Sequence, residues 1–349
     1  MKRLLILATL LISITFLSPY PAAAGHAAKA AKPFPVTVVD DQGNKVTIAH
    51  SPKRIITLFA DDTEIAFALG LENRLVADGS QYAEGATGLG LTTGTARPFK
   101  YPQEWPSKLG RDYPVKAPQL PHIEGGFSGE PFNLETIESL QPDLIIGPYY
   151  ASQQDAYTKM RDLGLTVMFL DPANINGILH DITLMGKATG TTKQAGTLES
   201  AMTSRLASVK AQLKKVKGRP RVFYELDASS PDAPYTAGPR TVIDQAIRIP
   251  DGKNIADSVT SCSGVSCYPQ MSLEAVVRAD PQIILLADAP YGTKPSDVGA
   301  RQGWNTISAV QSGKIYPVNP DLLSRFGPRI AIGVQDLAKL LHPAAIKKE

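Results

Sequence analysis

Apolar residues recur every three or four positions over residues 191–217. The apolar stripe consists of Ala195, Leu198, Met202, Leu206, Val209, Leu213 and Val216. This spacing predicts one amphipathic helix with an N-cap at Thr192 and a stop at Gly218 and Pro220. At about 1.5 Å per residue such a helix spans roughly 40 Å, more than a crossover helix in a small lobe needs. It is either a long surface helix of one domain or a strut between two lobes.

Short apolar runs alternate with helical patterns on both sides of this helix, which predicts parallel α/β layers. Residues 36–48 predict a β-hairpin, and either Asp61 or Asp62 is the expected cap of the helix that follows the first buried strand. Strands are predicted at 54–59, 75–77, 144–146, 167–170, 221–224, 283–286 and 315–318, and the other helices at 63–69, 133–140, 153–163, 175–190, 241–247, 272–278, 303–309 and 328–341.

Residues 79–132 interrupt this alternation and are rich in glycine, proline and aromatic residues. A connection of this length in a compact domain is usually functional or partly structured. We expect the segment to line a site or to cover the edge of a lobe.

An internal repeat relates the two halves of the chain. Residues 133–146 and 272–285 both contain a polar cap, Leu-Glu, a helix, a proline and a strand, at one offset of 139 residues. The repeat favours the strut, and with it an α/β fold of two doubly wound lobes joined by one long helix. The predicted divisions are a leader and hairpin at 25–50, an N-terminal lobe at 51–190, the helix at 191–217 and a C-terminal lobe at 218–349.

Residues 1–24 are typical of a secretory signal peptide, because Lys2 and Arg3 precede an apolar run and three alanines end the segment. We therefore expect cleavage and a periplasmic location, without lipid attachment, because no cysteine is near the cut. Removal of Lys2 and Arg3 lowers the formal net charge from +3 to +1, which argues against nucleic acid as a partner. We also expect no membrane insertion and a monomer.

The two cysteines, Cys262 and Cys267, are close in sequence, and an oxidising compartment favours a disulfide between them. The chain has no Gly-x-Ser-x-Gly, His-Glu-x-x-His or Walker motif. Together with the two lobes, this absence favours a binding protein that holds its ligand between the lobes, at the carboxyl ends of the strands.

Glu135 and Glu274 lie at matched places in the repeat, in the first turn of each helix. An acidic residue there complements the helix dipole, whatever its function. As a symmetric pair, however, the two glutamates could also dock on basic sockets of a two-fold partner.

Five segments carry a resemblance to a known family: residues 54–64, 133–135 with 141–146, 235–238, 268–274 and 325–329. Over residues 36–343 the chain resembles the periplasmic binding proteins of ABC importers for iron chelates and vitamin B12, most closely the cobalamin-binding branch. The resemblance implies two lobes on one long helix, limited closure, and pairing of Glu135 and Glu274 with arginines of the permease dimer. It also implies no covalent cofactor.

Aromatic residues follow predicted strands or lie in loops of both halves: Tyr149, Tyr235, Tyr268 and Phe326. Each could be packing, but their recurrence predicts that they contact the ligand's apolar surface, with Asp321 accepting hydrogen bonds from amide or hydroxyl groups. The expected ligand is cobalamin or a related corrinoid.

Three alternatives remain. A ferric siderophore would need cationic side chains, for which Arg97, Arg240, Arg301 and Arg325 are candidates. A free-metal receptor would need about three converging histidine or carboxylate ligands, and of the five histidines His26 falls in the leader and His342 in the C-terminal helix. A metal-dependent or carboxylate-based enzyme could use Asp61, Asp62 and Glu64, although capping explains these residues more simply.

Overall fold

The computed structural model describes residues 34–79, 120–123, 131–230, 232–264 and 266–346 of the chain. The predicted signal peptide and most of the segment 79–132 lie outside these residues. The chain enters the described part through an antiparallel hairpin of β1 (Val36–Val39) and β2 (Lys45–Ile48), in which Val36 pairs with Ile48. Within the described residues, no helix is both long and apolar enough to cross a membrane.

The N-terminal lobe is built on a four-stranded parallel sheet in the order β4–β3–β5–β6. Parallel neighbours require crossover connections, so helices cover both faces of the sheet. The elements are β3 (Ile55–Thr57), α1 (Ala60–Ala68), β4 (Leu75–Asp78), α2 (Leu134–Ser139), β5 (Leu144–Gly147), α3 (Gln154–Asp162), β6 (Val167–Phe169) and α4 (Ile175–Thr189).

The C-terminal lobe contains a five-stranded sheet in the order β11–β10–β7–β8, with β9 also pairing with β7. All pairs are parallel except β7 with β8. The elements are β7 (Arg221–Asp227), β8 (Tyr235–Thr236), α6 (Val242–Arg248), β9 (Lys253–Asn254), α7 (Leu273–Ala279), β10 (Ile283–Leu286), α8 (Pro295–Gly299), α9 (Ser308–Gln311), β11 (Ile315–Pro317) and α10 (Ile330–Leu341).

The long helix α5 (Thr192–Leu213) joins the two lobes. Its predicted apolar stripe is buried from Ala195 to Leu213 and packs against α4 and α10. The helix is four residues shorter at its C-terminus than predicted. It begins at Thr192, so its N-cap is Thr191, and no side-chain cap bond forms there.

One apolar core runs through both lobes. It contains inward-facing residues of both sheets together with α4, α5, α6 and α10. Each sheet has a second, smaller core on its other face, around Tyr157 in the N-terminal lobe and Trp304 in the C-terminal lobe. The two lobes are therefore doubly wound, as predicted, and they share the packing along α5.

The internal repeat has a physical counterpart in two matching caps. The side chain of Asn133 accepts a hydrogen bond from the backbone amide of Thr136 at 3.0 Å, and the side chain of Ser272 accepts one from the backbone amide of Ala275 at 3.3 Å.

The prediction of a helix at 303–309 is wrong: a 3-10 turn at Trp304–Thr306 precedes the short α9. The predicted caps Asp61 and Asp62 are also wrong, because Phe59 is the N-cap and both carboxyl groups lie inside the first turn of α1.

Candidate functional site

A cavity of about 360 Å³ opens between the lobes. Its N-terminal wall comes from loops that leave the carboxyl ends of β3, β5 and β6, and from one side of α4. Its C-terminal wall includes Leu226 at the end of β7, Ile243 of α6, and the loops that carry Tyr268 and Phe326. The carboxyl ends of parallel strands are the usual place for ligands in open α/β sheets, and the volume falls in the range of small-molecule clefts, about 300–1,000 Å³.

Four aspartates form the acidic wall of this cavity: Asp61, Asp62, Asp171 and Asp181. Asp61 and Asp62 belong to the first turn of α1, Asp171 follows β6, and Asp181 projects from α4. The side chain of Asp62 is 3% exposed and that of Asp181 is 1% exposed. The hairpin turn supports the wall, because the Asp41 carboxylate accepts a hydrogen bond from the Asp171 amide at 2.7 Å.

Burial disfavours the ionised form of every carboxyl group in the acidic wall. It raises the pKa of Asp61 to about 7 despite the nearby guanidinium groups of Arg325 and Arg329. It raises the pKa of Asp181 to about 9, with the negative charge of Asp41 adding to the effect. The pKa values of Asp62 and Asp171 are raised by the same cause and by neighbouring aspartates. Asp181 is therefore protonated at neutral pH, and the other three carboxyl groups are harder to ionise than in water.

Aromatic rings supply much of the remaining surface. Phe59 and Tyr150 meet edge to face in the N-terminal lobe, with ring centroids 6.4 Å apart. Tyr268 and Phe326 face the cavity from the C-terminal lobe, and both are partly buried against the shared core. Two of the five predicted contact residues, Tyr268 and Phe326, thus lie at the cavity, whereas the sequence reasoning missed Phe59 and Tyr150.

The other three predicted contact residues lie elsewhere. Tyr149 packs on the outer core of the N-terminal lobe, 5.4 Å from the ring of Phe169, and its hydroxyl bonds to Gln154. Tyr235 lies on the edge strand β8 and is 36% exposed. Asp321 accepts a hydrogen bond from Arg325 at 2.8 Å. Burial opposes its ionisation, but the guanidinium groups of Arg325 and Arg329 outweigh this effect and lower the pKa of Asp321.

A disulfide joins Cys262 and Cys267 in the structure, with 5.3 Å between the Cα atoms. Cys267 is buried, and its carbonyl accepts a hydrogen bond from the amide of Gly238 at 2.8 Å. A Cβ atom at Gly238 would lie 2.3 Å from the sulfur of Cys267, so only glycine permits this approach. The bonded loop ends directly before Tyr268 and so restrains that side chain at the cavity.

A buried ion pair connects the lobes behind the cavity. Glu64 of α1 and Arg329 at the start of α10 are 0% and 1% exposed, and the Nε atom of Arg329 donates to Glu64 at 2.9 Å. The backbone amide of Arg329 donates to the other carboxylate oxygen at 3.1 Å. A Cβ atom at Gly327 would lie 2.7 Å from this carboxylate, which explains the glycine.

Of the four cations expected for a siderophore, the three that the structure describes do not line the cavity. Arg301 pairs with the buried Glu225, and Arg325 pairs with Asp321. Arg240 is exposed, and Arg97 lies outside the described residues. Among the described residues that line the cavity there is no lysine, arginine or histidine. The described part of the chain also has no cluster of three or more side chains suited to a metal ion.

Glu135 and Glu274 are exposed in the first turns of α2 and α7, away from the cavity. The backbone amide of Glu274 and the side chain of Ser272 hydrogen-bond its carboxylate and lower its pKa, so that it stays ionised. Both glutamates are therefore accessible to a partner without disturbing the cavity.

Comparisons with known proteins agree with a two-lobed protein that has a cavity between its lobes. A sequence profile described as periplasmic binding protein matches residues 105–322. A Bacillus subtilis protein named uncharacterized ABC transporter substrate-binding lipoprotein YvrC is 31% identical, covering 90% of this chain and 88% of its own length. A cobalamin-binding protein of Halobacterium salinarum is 27% identical, covering 95% of this chain and 80% of that protein. The solved periplasmic vitamin B12 binding protein BtuF of Vibrio cholerae has the same fold, with a TM-score of 0.61 and 23% identity over 85% of this chain and 99% of that one.

Proposed function

Because the chain belongs to the periplasmic binding protein family, we propose that it captures a metal chelate between its lobes and delivers it to the permease of an ABC importer. The proposed ligand is cobalamin or a related corrinoid. The observation that carries this choice is the lining of the cavity, where aromatic rings and carboxyl groups occur without a basic side chain among the described residues. Such a lining suits a large ligand with apolar faces and an amide-bearing rim.

The similarity to a protein named cobalamin-binding supports the same ligand. A ferric siderophore is the second candidate, but its anionic forms would need the cationic contacts that the described lining lacks. We further propose export by cleavage after residue 24, function as a monomer, and release of the ligand chemically unchanged. The proposed lobes keep the boundaries 51–190 and 218–349, with the linking helix at 191–217.

The experiment is a titration of the mature protein with cyanocobalamin and with ferrichrome, a neutral ferric siderophore. We expect tight binding of cyanocobalamin and recovery of unmodified ligand. Replacing a buried aromatic contact costs about 1–3 kcal/mol, so Tyr268→Ala should weaken binding about tenfold or more. Tyr235→Ala, in the same lobe but outside the cavity, is the matched control and should bind normally. Preference for ferrichrome, or equal affinity of the two variants, would reject the assignment.

For the permease, we propose that Glu135 and Glu274 dock on basic sockets, one from each lobe. Their exposure and their matched positions in the repeat support this role. The experiment compares uptake by cells that express the double alanine variant with uptake by a control in which exposed Glu138 and Asp232 are changed to alanine.

A further inference from the structure

The acidic wall of the cavity contains buried carboxyl oxygen atoms that have no amide, hydroxyl or basic donor among the described residues. One carboxyl oxygen of Asp62 and both of Asp181 receive no hydrogen bond from such a group. These side chains are 3% and 1% exposed, and both line the cavity. Buried acceptors are nearly always paired in folded proteins, so orphaned ones that point into a cavity indicate a ligand that supplies the donors.

The protein's own charges do not supply those donors. Arg325 and Arg329 lie near Asp61, but their guanidinium groups bond to Asp321 and Glu64. Asp181 shares a side-chain hydrogen bond only with Asp41, a second carboxyl group, and the Nε2 atom of His180 lies 3.9 Å from a carboxylate oxygen of Asp41. Asp62 and Asp181 are therefore acceptors that have no cationic partner among the described residues.

The ligand chemistry follows from this arrangement. A bare metal ion is a poor occupant, because the described residues present no cluster with suitable geometry. An N–H group fits better, because it donates a hydrogen bond to a carboxyl oxygen and brings no negative charge. A carboxylate or phenolate on the ligand would have to give up its hydration against four carboxyl groups, and no cation among the described lining residues would compensate.

We propose that the acidic wall selects a chelate that presents primary amide or ammonium N–H groups to Asp62 and Asp181, and that it rejects chelates that present carboxylates there. This inference rests on the proposed function, because it names the groups through which that same cavity recognises its ligand. Burial raises the pKa of Asp181 to about 9, so this carboxyl group is protonated at neutral pH, and an N–H donor can satisfy either its protonated or its ionised form.

The test compares cyanocobalamin with its monocarboxylic acids, in each of which one side-chain amide has been hydrolysed to a carboxylate. Size and shape are nearly unchanged, and one negative charge is added. We expect at least one isomer to bind the wild type tenfold or more weakly than cyanocobalamin at pH 7.5. The variant Asp62→Asn with Asp181→Asn should recover most of that loss for the same isomer.

A control variant with Asp155→Asn and Asp232→Asn, both exposed and outside the cavity, should discriminate as the wild type does. Thermal melts of all variants check that they are folded. Equal binding of the amide and acid forms by the wild type would overturn the proposal, and so would unchanged discrimination in the Asp62, Asp181 variant.

A different set of results is expected if the proposed function, and not the inference about the acidic wall, is wrong. If cyanocobalamin does not bind, the wall is tested with ferrioxamine B, an iron chelate with a free ammonium group, against haemin, which carries two carboxylates. If ferrioxamine B binds the wild type and binds the Asp62, Asp181 variant tenfold more weakly, the acidic wall does select N–H groups. The same result would reject cobalamin as the ligand. Preference for haemin, or binding of none of these probes, would overturn the inference.

Discussion

Replacement of Asp181 by asparagine should stabilise the protein and reduce the dependence of its stability on pH. Asp181 lies on the apolar face of α4 between Ile178 and Ile182, and burial together with Asp41 raises its pKa from 3.8 to about 9. Between these two pH values the folded protein keeps a proton that the unfolded chain releases. The free energy of unfolding contributed by this group therefore falls as pH rises from about 4 to about 9.

The magnitude follows from the proton linkage. Each pH unit in that window costs about 1.4 kcal/mol, so the group destabilises the wild type by up to about 4 kcal/mol at pH 7. Asparagine has nearly the same shape and cannot ionise, so the Asp181→Asn variant escapes this cost. It should gain stability over the wild type progressively between pH 5 and pH 8.

The assay is urea unfolding at pH 5, 6, 7 and 8, followed by tryptophan fluorescence. Asp155→Asn, an exposed change on α3, is the control and should keep the wild-type slope. A variant that is less stable than the wild type at pH 7, or one whose stability varies with pH as steeply, would refute the assignment of a buried protonated Asp181.

Three further outcomes are expected. Glu64→Gln should lower the free energy of unfolding by about 3–5 kcal/mol, because it removes the carboxylate that pairs directly with a buried guanidinium group; chemical denaturation measures this, and a loss below 1 kcal/mol would contradict it. Changing both Cys262 and Cys267 to serine should cost about 2 kcal/mol of stability and weaken ligand binding, because the loop before the cavity loses its restraint; thiol titration of the native wild type should find no free thiol. The double change Glu135→Ala and Glu274→Ala should preserve ligand affinity while uptake fails, since exposed charges steer docking and add little stability; normal uptake would exclude the docking role.

The sequence predicted the two-lobe fold because periodicity and the repeat act over long stretches. The apolar stripe of the long helix rests on seven residues, and the repeated cap-helix-proline-strand unit also rests on several. One atypical residue therefore does not change either prediction. Short elements are decided differently. The region 303–309 forms a turn and a brief helix because Trp304 fills the outer core, a tertiary contact that local pattern does not contain.

The site was harder to predict than the fold. Whether a side chain points into the cavity depends on the local backbone conformation at that one residue, and the sequence pattern does not contain this information. Tyr149 and Tyr150 are adjacent after β5, and only Tyr150 turns into the cavity. The sequence predicts Asp62 as a possible helix cap, which is usually exposed, whereas the structure buries it in the first turn of α1. Asp181 did have a signal in the sequence: it falls on the apolar stripe of α4 with Ile178, Ile182 and Met185, where a lone carboxylate is costly unless it has a function.

The connection between the lobes constrains how a ligand can enter. Wide opening would split the core that runs through α4, α5 and α10, and it would separate the buried pair of Glu64 and Arg329. Both changes expose groups whose burial stabilises the fold, so we expect the lobes to move little on binding. A large chelate then projects from a cavity of about 360 Å³, and only part of its rim reaches the interior. Recognition therefore concentrates on the few groups that meet the acidic wall, and a single amide on the ligand can decide whether it binds.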